Sequence, residues 1–253
     1  MATFDSLVSF TDQGIRNVKD SPARFDGFRA AAEKLGVTVK SVYWTVGSCD
    51  IVVTVDGPDS HTCTLGGLGA LAWGIGSTEG EHALATKTLA VRKPRSMRIR
   101  FEGQLPPGVY AKDLILHLIS RFGASGGTGY AIEFAGSAIR ALPIEARFTL
   151  CNMAVEFGAW TGIVAPDETT FNYVRGRPFA PGPAIWDQAV AHWRTLVSDA
   201  DAVFDREIEI DCTQLGPHIT WGTSPQHGGN IGDAVPDPAA EPDQNRRQSM
   251  QRA

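Results

Sequence analysis

"GPDSHTCTLGGLGALAWGIGSTEGEHALA", residues 57–85, sets an acid, a hydroxyl and an imidazole side by side at Asp59, Ser60 and His61. A glycine-punctuated apolar run follows directly. "GLGALA" (67–72) has the G-x-G-x-x-A spacing of a dinucleotide loop. Such a loop needs a strand running straight into the glycines and an acid closing the next strand. Here Gly67 lies eleven positions after Asp56, where the preceding strand pattern ends, and no acid closes the next strand. The glycines are better read as letting a helix approach its neighbours closely. Ser60 has no G-x-S-x-G surround, and His61 cannot serve as its base by adjacency alone. Glu79, Glu81 and His82 read as a solvated helix face.

Upstream, "FDSLVSF" has strand character. In "ARFDGFRAAAEKLG" (23–36), Phe25, Phe28, Ala31, Ala32 and Leu35 recur at helical spacing, with Gly36 as a stop. "VTVKSVYWTV" and "DIVVTVD" alternate as strands around a hairpin at 47–50. A helix over 65–75 and a strand over 87–91 would complete βαββαβ, the ferredoxin-like pattern, over residues 1–91.

Downstream, 92–235 reads as mixed α/β, with helices packed on a sheet. "GVYAKDLILHLISRFG" is an amphipathic helix with Leu114, Ile115, Leu118 and Ile119 along one side. "GASGGTG" (123–129) lacks the G-K-[ST] ending of a phosphate loop and reads as a turn. "AIEFAGSAIRAL" is a strand and a short helix. "PIEARFTLCNMAVEFGAW" is a long helix, with Pro143 suited to its first turn. "GIVAPDETTFNYVRGRPF" is a strand and loop, "AIWDQAVAHWRTLV" a helix and "AVFDREIEID" a strand. Residues 236–253 are polar, rich in Pro and nearly empty of large apolar side chains, and are expected to be disordered.

The composition fits a globular chain: 253 residues, 43% hydrophobic, 20% charged, net charge −5. That balance argues against nucleic acid as the partner, because phosphate binding wants a clustered basic field. The one basic run, "VRKPRSMRIR" (91–100), reads as a solvated strand face or linker. There is no leader-like N-terminus and no 18-residue uncharged apolar run, so no membrane is implied. Cys49, Cys63, Cys151 and Cys212 lie far apart without a C-x-x-C pair. They signal neither zinc site nor disulfide framework, and a cytoplasmic chain with reduced thiols is expected.

"PDSHTCTLGGLGALAWGIGSTEGEHALATKTL" resembles the aconitase superfamily, most closely the 3-isopropylmalate dehydratase large subunits of leucine biosynthesis. The resemblance continues through "AKDLILHLISRFGASGGTGYAIEFAGSAIRAL", "EARFTLCNMAVEFGAWTGIVAPDETTFNYVRGRPFAP", "WDQAVAHWRTLVSDADAVFD" and "ITWGTSP…VPDPA", covering residues 58–240. Residues 1–59 are similar to GYD-domain proteins, small ferredoxin-like modules. The two resemblances imply a chimera with three parts. These are a ferredoxin-like module over 1–91 (58–91 shared with the dehydratase-like segment), an aconitase-type α/β unit over 92–235, and the tail.

The dehydratase resemblance implies a hydro-lyase in which a 4Fe–4S cluster with one open iron binds the substrate. Asp59, Ser60 and His61 match the family's catalytic triplet. Asn152 falls at the substrate and Glu156 beside the reacting hydroxyl; four apart, they would share a helix face. The family's cluster cysteines, in a G-S-C-T-N-S segment and a later C-x-x-C, are not among these residues, so no metal ligand is assigned. The implied partners are a small hydroxy-acid substrate, the dehydratase small subunit and, for the GYD-like sheet, a second copy. Two readings follow: a dehydratase chain catalytically incomplete alone, or a non-catalytic dimerisation module carrying a vestigial dehydratase fragment.

Overall fold

The computed structural model describes residues 2–8, 26, 29–30, 33–34, 38–44, 51–57, 60–222 and 224–252. They belong to two units, Met1–Ser60 with Gly74–Arg92, and His61–Trp73 with Lys93–Ala253. The division passes twice through the stretch 58–91 that the two resemblances share.

In the first unit, β1 (Ala2–Val8), β2 (Thr38–Trp44) and β3 (Ile51–Gly57) form an antiparallel sheet in the order β1-β3-β2. The β-branched run "IVVTV" suits β3 to the central place. β1 pairs with it from Ala2↔Gly57 to Val8↔Ile51, and β2 pairs with a shift between Val39 and Ser41. Because both flanking strands oppose β3, they run parallel to each other, with helical residues 26, 29, 30, 33 and 34 between them in sequence. This is a split βαβ unit. The hairpin expected at 47–50 lies outside the described residues.

The second half of the βαββαβ expectation is corrected. Residues Thr62–Leu68 form a 3₁₀ helix, not an α-helix over 65–75, and Gly69 ends it in the left-handed region at φ 81°. Glycines at 66, 67, 69, 74 and 76 deny this stretch α-helical propensity. The α-helix starts later, as α1 (Ser77–Thr86), where Glu79 accepts from the Gly76 N–H at 2.9 Å. Glu79, Glu81 and His82 are exposed on it. No strand forms over 87–91; the chain is irregular until after Pro94, which has no N–H to give a ladder.

The second unit is built on a parallel sheet of β4 (Arg95–Glu102), β5 (Tyr130–Ala135), β6 (Thr161–Ile163) and β7 (Arg206–Asp211), in the order β6-β5-β4-β7. The mixed α/β class read from the sequence is the observed one. The basic run becomes a strand. Met97, Ile99 and Phe101 point into the core, while Arg98 faces Glu207 on β7 through hydrogen bonds of 3.0 and 3.1 Å. Arg100 pairs with Glu102 at 2.6 Å. Exposed pairs of this kind add little stability; they neutralise the run in place.

α2 (Ala111–Phe122) buries Leu114, Ile115, Leu118 and Ile119 against the sheet, as its spacing predicts. Its first turn is fixed by Asp113, which accepts from the Tyr110 N–H at 2.7 Å. α3 (Ser137–Ala141) begins where Glu102 accepts from Ser137 N and Oγ, at 2.9 and 2.7 Å. These two bonds, backbone first, hold the Glu102 carboxyl down at about 2.

The long helix expected over 143–160 is shorter. α4 runs Ile144–Asn152, with Pro143 at its N-cap instead of in its first turn. Residues 153–158 form consecutive turns, closed by Gly158 at φ 84°. The turns carry Phe157 into the core over the glycine-rich turn, where a Cβ on Gly126 would sit 2.2 Å from the Phe157 ring. That close approach gives the glycines a packing role.

The "strand and loop" reading of 162–179 misses α5 (Glu168–Val174), which Asp167 caps by accepting from Thr169 and Thr170. α6 (Trp186–Trp193) follows, then a hairpin of β8 (His218–Thr220) and β9 (Gly228–Asn230). The tail expected to be disordered carries a 3₁₀ turn at Pro238–Ala240 and a helix, α7 (Gln244–Arg252). Arg247 donates to the Glu241 carbonyl at 2.7 and 2.9 Å, and Ser249 Oγ meets His227 Nε2 at 3.3 Å. Side-chain-to-backbone bonds thus supply order that apolar burial does not.

Candidate functional site

The Thr62–Leu68 3₁₀ helix lies tightly on α4 and β6 because two of its residues lack a side chain. A Cβ on Gly66 would stand 1.8 Å from the Gly162 carbonyl oxygen, and one on Gly67 would stand 3.0 Å from Phe148 N. The Val164 N–H donates to Gly66 O at 3.0 Å, tying the segment to the chain leaving β6. The glycine pattern is therefore a packing device, as its reading without a nucleotide requires.

This seating brings distant residues together. Thr64 is the hub: its N–H and Oγ1 both donate to His61 O, at 3.0 and 2.7 Å. The same Oγ1 accepts from Asn152 Nδ2 at 2.8 Å, and Cys63 Sγ donates to Asn152 O at 3.5 Å. With the His61 backbone so held, its Nε2 lies 3.2 Å from Glu156 Oε1, across 95 positions of sequence. Both side chains are partly exposed, 37% and 43%, so a small molecule can reach them. A proton on Nε2 can pass between imidazole and carboxylate, or be delivered to a leaving hydroxyl.

His61, Asn152 and Glu156 thus meet in one place, but not by the route expected. Asn152 is the last residue of α4 and Glu156 lies in the turns beyond it, so they do not share a helix face. Ser60 is exposed in the first unit. Asp59 lies outside the described residues.

Behind the site, Arg147 on α4 is completely buried. It donates to both oxygens of Asp167, at 2.7 and 2.8 Å, and to the carbonyls of Leu142 and Arg140 at 3.2 and 3.0 Å. Burial opposes the Asp167 charge, but the Arg147 bonds and charge outweigh it and hold the carboxyl below its usual range. Neither Thr64 nor this clamp is assigned from sequence. A lone arginine in the apolar run "EARFTLC", and an N-cap-type Asp ahead of "ETTF", are the signals that could have found the clamp.

Among the described residues the cysteine donors do not fit an iron–sulfur cluster. Cys63, Cys151 and Cys212 are buried, and burial, with Cys63 second, pushes the Cys151 thiol far up. Cluster ligation wants thiolates. Among the described residues no three His, Cys, Asp or Glu side chains converge to hold a metal ion. Also among them, no helix is long and apolar enough to cross a membrane.

The chain matches the Aconitase family (aconitate hydratase) over residues 14–253. It is 59% identical over 193 residues to "3-isopropylmalate dehydratase large subunit 1" of Bradyrhizobium diazoefficiens, a span of 76% of this chain and 40% of that protein. The chain therefore spans well under half the length of this relative. The comparisons lend no support to the GYD-type resemblance of residues 1–59 or to a purely non-catalytic module. A match running from residue 14 to 253 is decisive: the chain belongs to the aconitase family.

Proposed function

We propose that this chain contributes the acid–base half of a hydro-lyase site acting on an isopropylmalate-type hydroxy acid, together with a dehydratase small subunit, in the cytoplasm. The observation that carries the reading is the 3.2 Å contact of His61 and Glu156 within an aconitase-family unit. In this reading the His61–Glu156 pair gives one proton to the departing hydroxyl as its C–O bond breaks, releasing water, and takes up the proton lost from the neighbouring carbon. The pair thus ends the elimination as it began, and both steps reverse in hydration. Asn152 holds the His61 loop through Thr64 and stands at the substrate; Asp59 and Ser60 complete the triplet implied by the resemblance. Proton-transfer groups contribute about 10²–10⁴-fold, which alone does not dehydrate a hydroxy acid, and the described thiols do not fit the family's cluster. The chain by itself is therefore proposed to be inactive.

The test is a transplant. The matching span of this chain replaces its counterpart in the Bradyrhizobium large subunit, which is assembled with its small subunit. Turnover of isopropylmalate by the hybrid, lost about 10²–10⁴-fold on His61→Ala, supports the proposal. A folded, cofactor-loaded hybrid that is inert, or one indifferent to His61→Ala, overturns it. So does His61-dependent turnover by the purified 253-residue chain alone.

A further inference from the structure

Away from His61 and Glu156, the second unit has an open-mouthed cavity of about 550 Å³ between the C-terminal end of α2, the β8–β9 hairpin and the tail. Small-molecule sites occupy roughly 300–1,000 Å³ and combine apolar walls with a few convergent polar groups. The walls here are Phe122, Trp221, Pro236 and Met250. The polar groups that reach the lining are unequal in what they can still do. Gln226 is committed, its Oε1 accepting from the Ala124 N–H at 3.3 Å. His227 is buried, and its Nε2 meets Ser249 Oγ at 3.3 Å; with the proton on Nε2, the serine hydroxyl can turn its own hydrogen toward a ligand.

Charge decides the ligand class. Arg121 lines the cavity with its guanidinium carbon 5.2 Å from the centroid of the Phe122 ring, and among the described residues it makes no ion pair. A guanidinium laid on an aromatic face is weakly hydrated and offers paired donors to a carboxylate. Glu241 lines the same cavity, with Oε1 accepting from the Asp243 N–H at 3.0 Å. Its charge repels a second negative group. The combination selects one negative charge on an apolar body.

We infer that this cavity binds a small amphipathic monocarboxylate of the arylalkanoate kind, with its carboxylate on Arg121 and Ser249 and its apolar body between Phe122 and Trp221. The inference does not depend on the proposed catalytic role.

Titration of the purified chain with 3-phenylpropionate, followed by calorimetry and ligand-observed NMR, tests it. The uncharged 3-phenylpropanol and the dianion phenylsuccinate serve as comparisons. Saturable one-to-one binding of the monoacid is expected, weaker for both comparisons, and weakened about ten- to a hundredfold by Arg121→Gln. Glu241→Gln should raise the affinity for phenylsuccinate, a gain that misfolding cannot produce. No saturable binding by the folded chain, equal binding of the alcohol, an affinity unchanged in Arg121→Gln, or no gain in Glu241→Gln would overturn the inference.

Discussion

Arg147 and Asp167 meet through two hydrogen bonds of 2.7 and 2.8 Å, with the guanidinium wholly buried and the carboxylate 37% exposed. One cation thereby joins α4 to the N-cap of α5, and through carbonyl bonds to the end of α3. A charge so buried cannot lose its partner cheaply, because water is not there to replace it.

Asp167→Asn keeps the capping ability of the side chain but removes the counter-charge. The second unit should lose about 1–3 kcal/mol in urea unfolding, less than the range for a fully buried pair because the carboxylate is 37% exposed. A loss below about 1 kcal/mol would show that Arg147 reaches solvent or another acceptor.

Acid should weaken the second unit through Glu102. Its folded carboxyl sits at about 2, against an ordinary value of 4.5. A depressed carboxyl stabilises the fold fully above the unfolded value and loses that contribution as pH falls through the folded one. The stability difference between the parent chain and Glu102→Gln should therefore be present at neutral pH and shrink between about 4.5 and 2. A difference constant across that window would contradict the Ser137 bonds as its source.

Gly66→Ala places a methyl group where 1.8 Å separates it from the Gly162 carbonyl oxygen, and backbone cannot swing aside as a side chain does. Overpacking costs about 1–3 kcal/mol, and the His61 loop should shift with it, visible as a changed His61 imidazole NMR signal. Gly182→Ala meets nothing within 4 Å and should change stability by no more than about 0.5 kcal/mol. Equal effects would disprove the close seating of the 3₁₀ helix.

Periodicity made the second unit legible where one side of an element is buried. α2, with its Leu114–Ile115–Leu118–Ile119 stripe, and the alternating β7 follow directly from their spacing, whereas β4 lies in a basic run that reads equally as a solvated strand face or a linker. It failed where backbone geometry outranks pattern. Gly69 at positive φ ends the 3₁₀ segment, and Gly158 at positive φ closes the turns beyond α4 that apolar spacing alone would read as helix, and residues 87–91 alternate without finding a ladder. The site was legible only through resemblance: neither spacing nor composition links His61 to a residue 95 positions away. Thr64, which ties the His61 backbone to the Asn152 side chain, looks like any helix-start threonine in sequence.

The central claim is that His61 and Glu156 act as one proton-handling unit, and a double-mutant cycle measures this most directly. In the hybrid large subunit, kcat is compared for the parent, His61→Ala, Glu156→Gln and the double variant. Groups that work as a unit are grossly non-additive, so the double variant should be no slower than the worse single variant, within about threefold. Losses that multiply, each substitution exacting its full cost in the presence of the other, would mean that the 3.2 Å contact joins two independent groups and that the acid–base assignment is wrong.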